Sequence, residues 1–172
     1  MTSEGPQPIL DPGMAILIDR SAISDVILRY GSALDARDIE RLLSCFTSDV
    51  RLEYFNGSVV VDGIDQARGF FRLDPSSPPL GLERLEATTH LWNIVSIDVD
   101  GDQATAETIC VAHLFGVARD EEVLITRGLR YSDTLKRSEA GWLIRSRLHQ
   151  PRWESRSVTI RQPDVREEAS TE

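Results

Sequence analysis

The first third of the chain has the hydrophobic spacing of amphipathic helices. Between residues 14 and 34 the apolar residues recur at steps of 7, 4, 3 and 4, at Ile16, Ile23, Ile27, Tyr30 and Leu34. This spacing places them on one helix face. A second, shorter helix is predicted from Ile39 through Phe46, with Asp38 as its cap and its end near Thr47 and Ser48. A third is predicted over 65–72, where an Asp-Pro pair ends it.

The remaining pattern is typical of strands. Two short runs, 51–55 and 59–62, are joined by Asn56 and Gly57, a favoured hairpin turn. A loop rich in Pro and Ser is predicted over 74–86. Beyond it, four long segments rich in Val, Ile, Thr and aromatic residues predict an antiparallel meander over 88–99, 105–115, 123–137 and 142–153. This order of elements predicts the α+β class, with helices packed on one face of a curved sheet.

Composition and charge narrow the class of protein. The chain has 172 residues, of which 41% are hydrophobic, which suits one domain with a substantial core. We expect that domain over 14–156, between flexible tails at 1–13 and 157–172, of which the second is acidic. No apolar run is long enough to span a membrane. A net charge of −9 argues against a nucleic-acid partner.

Cysteine and histidine usage predicts neither disulfides nor a metal site. Cys45 and Cys110 each lie in an apolar stretch and are expected to be reduced core thiols in a cytoplasmic protein, since the N-terminal residues lack an export signal. The three histidines lie far apart, without the spacing of metal ligands. Because a glycine-rich phosphate loop is also missing, we expect no metal and no nucleotide cofactor.

Some polar residues lie within the apolar segments. Alternation along the 88–99 strand places His90 and Trp92 on one face, and in the next strand His113 and Phe115 share a face. Burial favours the neutral imidazole, which can act as a base. His149, near the end of the last strand, is not expected to have a function.

Asp35 stands where the first helix ends, and its role is open. It is either a solvated turn residue or a carboxylate that faces the sheet and orients a histidine. Tyr30 lies on the apolar face of the same helix, and its hydroxyl needs a partner if it is buried. The later strands carry many cations, any of which could hold an oxyanion if it faced inward: Arg127, Arg130, Lys136, Arg137, Arg145, Arg147 and Arg152.

The chain resembles the SnoaL-like branch of the nuclear transport factor 2 (NTF2)-like superfamily, in the group of scytalone dehydratase, bile acid 7α-dehydratase and hexachlorocyclohexane dehydrochlorinase. The resemblance covers roughly residues 15–155, through the segments RYGSALDARD, TTHLWN, LRYSDTLKR and GWLIRSR. It implies a cone-shaped α+β barrel, in which about three N-terminal helices pack in a strongly curved, mixed but mainly antiparallel sheet around a deep apolar pocket.

The resemblance also implies catalytic residues. The lytic enzymes of the group share an Asp–His dyad, which matches Asp35 and His90. Tyr30 matches a tyrosine used by the bile acid enzymes, and His113 matches a second pocket histidine of scytalone dehydratase. Arg152 is the nearest match to an arginine that the bile acid enzyme uses late in its last strand. We expect substrate contacts from Trp92, Tyr131, Arg152 and Phe115.

This chain departs from scytalone dehydratase at two places. Leu34 replaces a tyrosine directly before the aspartate, and Leu129 and Tyr131 fall near a serine and an asparagine. Scytalone is therefore not the expected substrate.

The expected activity is a cofactor-independent lyase or isomerase reaction on a small apolar carbonyl compound, polyketide-, steroid- or aromatic-like, with proton abstraction by the dyad and loss of water. The alternatives are a SnoaL-like cyclase, a ketosteroid-isomerase-type enzyme, a binding module without catalysis, and the structural small subunit of a ring-hydroxylating dioxygenase. The wide sheet predicts a homo-oligomer, and the resemblance favours a trimer over a dimer.

Overall fold

The computed structural model describes residues 11–72 and 82–159. The helices are α1 (Pro12–Ala36), α2 (Ile39–Leu43) and α3 (Ile64–Phe71). The strands are β1 (Phe46–Tyr54), β2 (Val59–Asp62), β3 (Arg84–Asp100), β4 (Gln103–Ala118), β5 (Glu121–Ser138) and β6 (Gly141–Val158). The predicted α+β class and the order of its elements are confirmed.

The second half of α1 packs against the sheet. Asp11 caps the helix by accepting hydrogen bonds from the amides of Gly13 and Met14. Ile23 and Ile27 are fully buried. Ile16, predicted on the same face, is 47% exposed, so that the apolar face makes its contacts only beyond the first turns.

The second helix is shorter than its sequence pattern predicts. Asp38 caps it as expected, by accepting from the amide of Arg41 at 3.0 Å. The helix ends at Leu43, and Phe46 already belongs to β1. The prediction of a helix through Phe46 is wrong because the chain pairs with β6 from this point, where the amide of Ile144 donates to the carbonyl of Cys45 at 2.9 Å.

The six strands form one sheet in the order β2-β1-β6-β5-β4-β3. β3 to β6 form the predicted antiparallel meander, and β1 joins it by parallel pairing with β6. The sheet curls around the helices, with β2 and β3 as its edges in the described residues, so that the predicted barrel is not closed. Its concave face carries the core.

Two β-bulges reset the orientation of side chains along β6. Against β5, the register passes from Ile144 to Ser146 and from Pro151 to Trp153, which leaves Arg145 and Arg152 as extra residues. Because side chains alternate with a period of two, each extra residue exchanges the inner and outer faces beyond it.

Parts of the predicted chain organisation lie outside the described residues. The predicted tails do so except at their inner ends, where α1 begins at Pro12 and β6 continues to Val158. Most of the predicted 74–86 loop does so as well, but its last three residues belong to β3, which begins at Arg84. No helix in the described ranges has the length and apolar character needed to cross a membrane.

Candidate active site

The C-terminus of α1 is tied to the beginning of β3. Arg37 ends the helix in the left-handed conformation, with φ of 55°. Its guanidinium donates to the backbone carbonyls of Leu85 at 2.9 Å and Glu86 at 3.1 Å. This link places Asp35, in the last turn of α1, directly against the β3 edge.

The Asp35 carboxylate accepts three hydrogen bonds from β3. The His90 ring Nδ1 lies 2.6 Å from Oδ1, the Thr88 hydroxyl lies 2.7 Å from the same oxygen, and the His90 amide lies 2.9 Å from Oδ2. Burial alone would raise the pKa of Asp35, but the bonds from His90 and Thr88 outweigh it and lower the pKa below its ordinary value. The carboxylate is therefore ionised at neutral pH.

An ionised carboxylate fixes the tautomer of a neutral histidine ring. Since it can only accept, Nδ1 of His90 carries the hydrogen and Nε2 keeps its lone pair. The His90 side chain is only 8% exposed, against 26% for Asp35. Nε2 has no hydrogen-bond partner in residues 11–72 and 82–159, and His90 lies in the wall of a large cavity. The pair therefore has the geometry of a general base.

The cavity has a volume of about 870 Å³ and lies between the helices and the concave face of the sheet. Most of its wall is apolar: Leu34, Ile39, Phe55, Phe70, Phe71, Leu85, Ala112, Leu114 and Leu129. Its polar lining includes three tyrosines and two histidines: Tyr30, Tyr54, Tyr131, His90 and His149. Charged side chains also line it: Arg37, Arg72, Arg84, Glu86 and Arg127. A cavity of this size accepts a small apolar molecule that carries few polar atoms.

The tyrosines are neutral hydrogen-bonding groups. The hydroxyls of Tyr30 and Tyr54 lie 2.8 Å apart, so that one donates to the other and one O–H proton is left for a ligand. Burial raises the pKa of Tyr30, and it raises those of Tyr54 and Tyr131 further. Tyr30 and Tyr131 were expected at the site, whereas Tyr54 was not singled out by the sequence.

A buried ion pair lies under these rings. Arg147 donates to both oxygens of Asp133 at 2.7 Å each, and both side chains are fully buried. Its guanidinium carbon lies 4.1 Å from the ring centre of Tyr30 and 4.8 Å from that of Tyr131. Burial opposes the charge, but Asp133 keeps the pKa of Arg147 well above its ordinary value. The arginine that supports the site is thus Arg147, one of several candidates in the sequence.

Trp92 lies behind the cavity wall rather than in it. Its ring centre is 5.1 Å from that of Tyr131 and 5.7 Å from that of Tyr30. It also packs on Gly31 of α1, where a Cβ atom would come within 2.2 Å of the indole nitrogen. Trp92 therefore positions two tyrosines of the cavity and does not line it.

His113 and Phe115 do not line the cavity. The inner face of β4 carries Thr108, Cys110, Ala112 and Leu114, so alternation turns both residues to the outer face, where the His113 ring lies 3.1 Å from the Thr126 hydroxyl. The expectation that they serve the site is wrong: on β4 the smaller residues face inward and the larger ones outward.

Arg152 also lies outside the cavity. It is the extra residue of the second β6 bulge, it is exposed, and its guanidinium donates to the side chain of Gln150 at 3.3 Å. The expectation that it holds the substrate is wrong because the bulge carries it away from the inner face.

His149, for which no function was expected, lines the cavity and is only 5% exposed. Trp142 and Ile144 face inward, and regular alternation from them would turn His149 outward. The first β6 bulge turns it inward, and the sequence carries no sign of that bulge.

Within residues 11–72 and 82–159, no group of three or more His, Cys, Asp or Glu side chains could hold a metal ion. Cys45 and Cys110 are both buried and free, as expected of core thiols.

This fold and site define a class of protein. The chain belongs to the SnoaL-like domain family, whose pattern matches residues 15–148. An uncharacterized protein of Mycobacterium tuberculosis is 29% identical over 143 residues, which cover 81% of this chain and 92% of that protein. The fold is that of a solved NTF2-like protein from Novosphingobium aromaticivorans, which superposes with a TM-score of 0.62 at 21% identity, over 81% of this chain and 85% of that one.

Solved structures share the fold at low sequence identity. A hexachlorocyclohexane dehydrochlorinase (LinA, type 2) superposes with a TM-score of 0.71 at 18% identity, over 89% of this chain and 98% of that one. A candidate scytalone dehydratase from Novosphingobium aromaticivorans superposes with a TM-score of 0.69 at 18% identity, over 87% of this chain and 93% of that one. The similar structures therefore include a dehydrochlorinase and a candidate dehydratase.

Proposed function

We propose that the protein is a lyase or isomerase that acts without a cofactor on a small, apolar carbonyl compound, with His90 as its base. One observation carries the proposal: Nδ1 of His90 lies 2.6 Å from the ionised Asp35, while the ring forms part of a large apolar cavity. A neutral imidazole held by a carboxylate is suited to remove a proton from carbon.

In the first step, Nε2 of His90 takes a proton from the carbon next to the substrate carbonyl. The electron pair of the broken C–H bond moves toward the carbonyl oxygen and gives an enolate. Asp35 stabilises the imidazolium that forms, through the bond it already makes with Nδ1. The free hydroxyl hydrogen of the Tyr30–Tyr54 pair is suited to bind the enolate oxygen.

The second step returns the proton that His90 has gained. If the substrate carries a hydroxyl group on the next carbon, the enolate expels it while the imidazolium donates its proton, and the products are water and a conjugated carbonyl compound. If it does not, return of the proton to another carbon gives an isomer. Both courses restore neutral His90 and need no second acid, which matters because His113 lies outside the cavity.

The outer face of the sheet suits a homo-oligomer, and we propose that a second copy covers it. Four large apolar side chains are exposed there: Leu91, Val95, Ile109 and Trp153. Sedimentation of the wild type and of the Leu91→Lys/Ile109→Lys variant tests this: the wild type should sediment as an oligomer, and a monomeric wild type contradicts it.

A panel of apolar β-hydroxy ketones tests the function. The appearance of the conjugated enone is followed by absorbance for the wild type and for His90→Ala, Asp35→Asn and His113→Ala. His113→Ala is the matched control, because this histidine lies on an adjacent strand but on the outer face. We expect His90→Ala to lower turnover by about 10²–10⁴-fold, Asp35→Asn to lower it strongly, and His113→Ala to retain it. Activity near that of the wild type in His90→Ala overturns the assignment.

A further inference from the structure

His149 occupies a fixed place in the cavity wall. Its ring stacks on Tyr54, with 4.8 Å between ring centres, and packs against Phe55 and Tyr131 at 5.3 Å each. The amide of Phe55 donates to its Nδ1 at 3.2 Å. Contacts on these sides leave the ring little freedom to turn.

The bond at Nδ1 determines which atom of His149 carries the hydrogen. Nδ1 accepts from an amide, so in a neutral ring the hydrogen is on Nε2. Burial, to which the charges of Arg127 and Arg147 add, lowers the pKa of His149 to about 4, so that the ring is neutral at physiological pH. Nε2–H therefore remains a hydrogen-bond donor at physiological pH.

The structural role of His149 accounts for only one of its two nitrogens. Nδ1 satisfies the amide of Phe55, a turn residue with φ of 53°. Nε2 has no hydrogen-bond partner in residues 11–72 and 82–159, although the side chain lines the cavity and the residue is 95% buried, with a relative exposure of 5%. Because His149 lines the cavity, this N–H is left to donate to a ligand there.

We infer that Nε2–H of His149 is a binding subsite for an oxygen atom of the ligand, namely the carbonyl or enolate oxygen of a planar, otherwise apolar molecule. Tyr54 and Tyr131 also line this cavity, and their rings offer apolar faces on which a flat ligand can pack. The inference rests on the proposed function and deepens it, since it gives the carbonyl oxygen a second neutral donor, in addition to the hydroxyl hydrogen of the Tyr30–Tyr54 pair, in the same cavity as His90. A neutral imidazole can polarise a carbonyl in this way without giving up its proton.

Two substitutions separate the two nitrogens. In His149→Asn, the amide oxygen is suited to replace Nδ1 as the acceptor for Phe55, but nothing replaces Nε2. In His149→Gln, the longer amide reaches the place of Nε2 and keeps a donor there, while the acceptor for Phe55 is lost. If His149 has only a structural role, His149→Asn should be more stable than His149→Gln. If it binds an oxygen atom of the ligand, His149→Gln should bind that ligand better than His149→Asn.

The probes are 2-acetylnaphthalene and 2-ethylnaphthalene, which have similar shapes but only one of which has a carbonyl oxygen. The measured quantity is the ratio of their dissociation constants, from fluorescence titration, with thermal unfolding of each variant as the check on folding. We expect the wild type to prefer the ketone by roughly tenfold, as one hydrogen bond would give. His149→Gln should retain the preference, and His149→Asn should reduce it while remaining folded, because only the hydroxyl hydrogen of the Tyr30–Tyr54 pair then remains as a donor.

Equal affinities of the wild type for the two probes overturn the inference, as does failure of both to bind or retention of the full preference in His149→Asn. The measurement involves no catalysis. A preference for the ketone in a protein that never removes a proton from carbon would leave the subsite standing and refute the proposed function alone.

Discussion

Asp35 connects catalysis and structure through the same carboxylate. One oxygen holds the His90 ring and the Thr88 hydroxyl, and the other accepts from the His90 amide on an edge strand. Without Asp35, that amide and the ring nitrogen would both lose their partner. The residue thus sets the tautomer of His90 and fastens β3 to α1.

The lowered pKa of Asp35 makes stability depend on pH. A carboxyl whose pKa is lower when folded contributes stability above its unfolded pKa, near 3.8, and loses that contribution as pH falls through the folded pKa. We expect Asp35→Asn to be less stable than the wild type at pH 7, with a difference that shrinks below about pH 4. Urea unfolding across pH measures it, with Asp25→Asn, at an exposed position of α1, as the control. A difference that does not change with pH contradicts an ionic role.

Regular alternation predicted which residues share a face, as for His90 with Trp92 and for His113 with Phe115, but on β4 it did not predict which face points inward. His90 faces inward as expected, because no bulge interrupts β3 between it and Trp92. The faces on which His149 and Arg152 lie could not be predicted. Bulges in β6 change the face of each residue, and nothing in the local sequence indicates those bulges. Asp133 did leave a signal, since it alternates with Leu129, Tyr131 and Leu135, which implies burial and a charged partner.

At the scale of elements, α1 and β3 approach closely because a glycine lies between them. Gly31 stands inside α1, where glycine costs about 1 kcal/mol relative to alanine. A Cβ at this position would lie 2.2 Å from Nε1 and 2.6 Å from Cε2 of Trp92. The glycine therefore makes room for the indole that supports Tyr30 and Tyr131.

Substitution of helical glycines tests this packing. Gly31→Ala should destabilise the protein by about 1–3 kcal/mol, because the overpacked indole must move, in spite of the better helix former. Gly69→Ala in α3 is the matched control: its Cβ meets nothing within 4 Å, so it should be neutral or stabilise by up to about 1 kcal/mol. Unfolding by guanidinium gives both values. A Gly31→Ala variant as stable as the wild type contradicts the close approach.

Helices and strands could be predicted where the signal for them lies in neighbouring residues of the sequence. Helical spacing identified α1, and the helix predicted over 65–72 corresponds to α3. Segments rich in Val, Ile, Thr and aromatic residues identified β3 to β6 to within a few residues. The end of α2 and the parallel pairing of β1 with β6 could not be predicted, because both depend on contacts about 100 residues apart in the chain, such as Phe46 with Ile144.

At the scale of the whole molecule, the charge of the cavity wall differs in sign from the net charge of the chain. The chain has a net charge of −9, yet four arginines and one glutamate are the charged residues that line its cavity within 11–72 and 82–159. Three of the arginines are already engaged: Arg37 with two carbonyls, Arg84 with Glu86, and Arg127 with Glu154. The excess of acidic residues is therefore not found in the described lining of the cavity, which is apolar with a small number of fixed polar groups.

The proposed function depends on removal of a proton from carbon by His90. The most direct measurement is hydrogen exchange at the carbon next to the carbonyl, followed by NMR for apolar cyclic ketones incubated with the protein in D₂O. It needs no knowledge of the natural substrate and no leaving group. We predict deuterium uptake well above the rate without protein for the wild type and for His113→Ala, and uptake at that background rate for His90→Ala. Equal uptake with the wild type and His90→Ala would contradict the central claim.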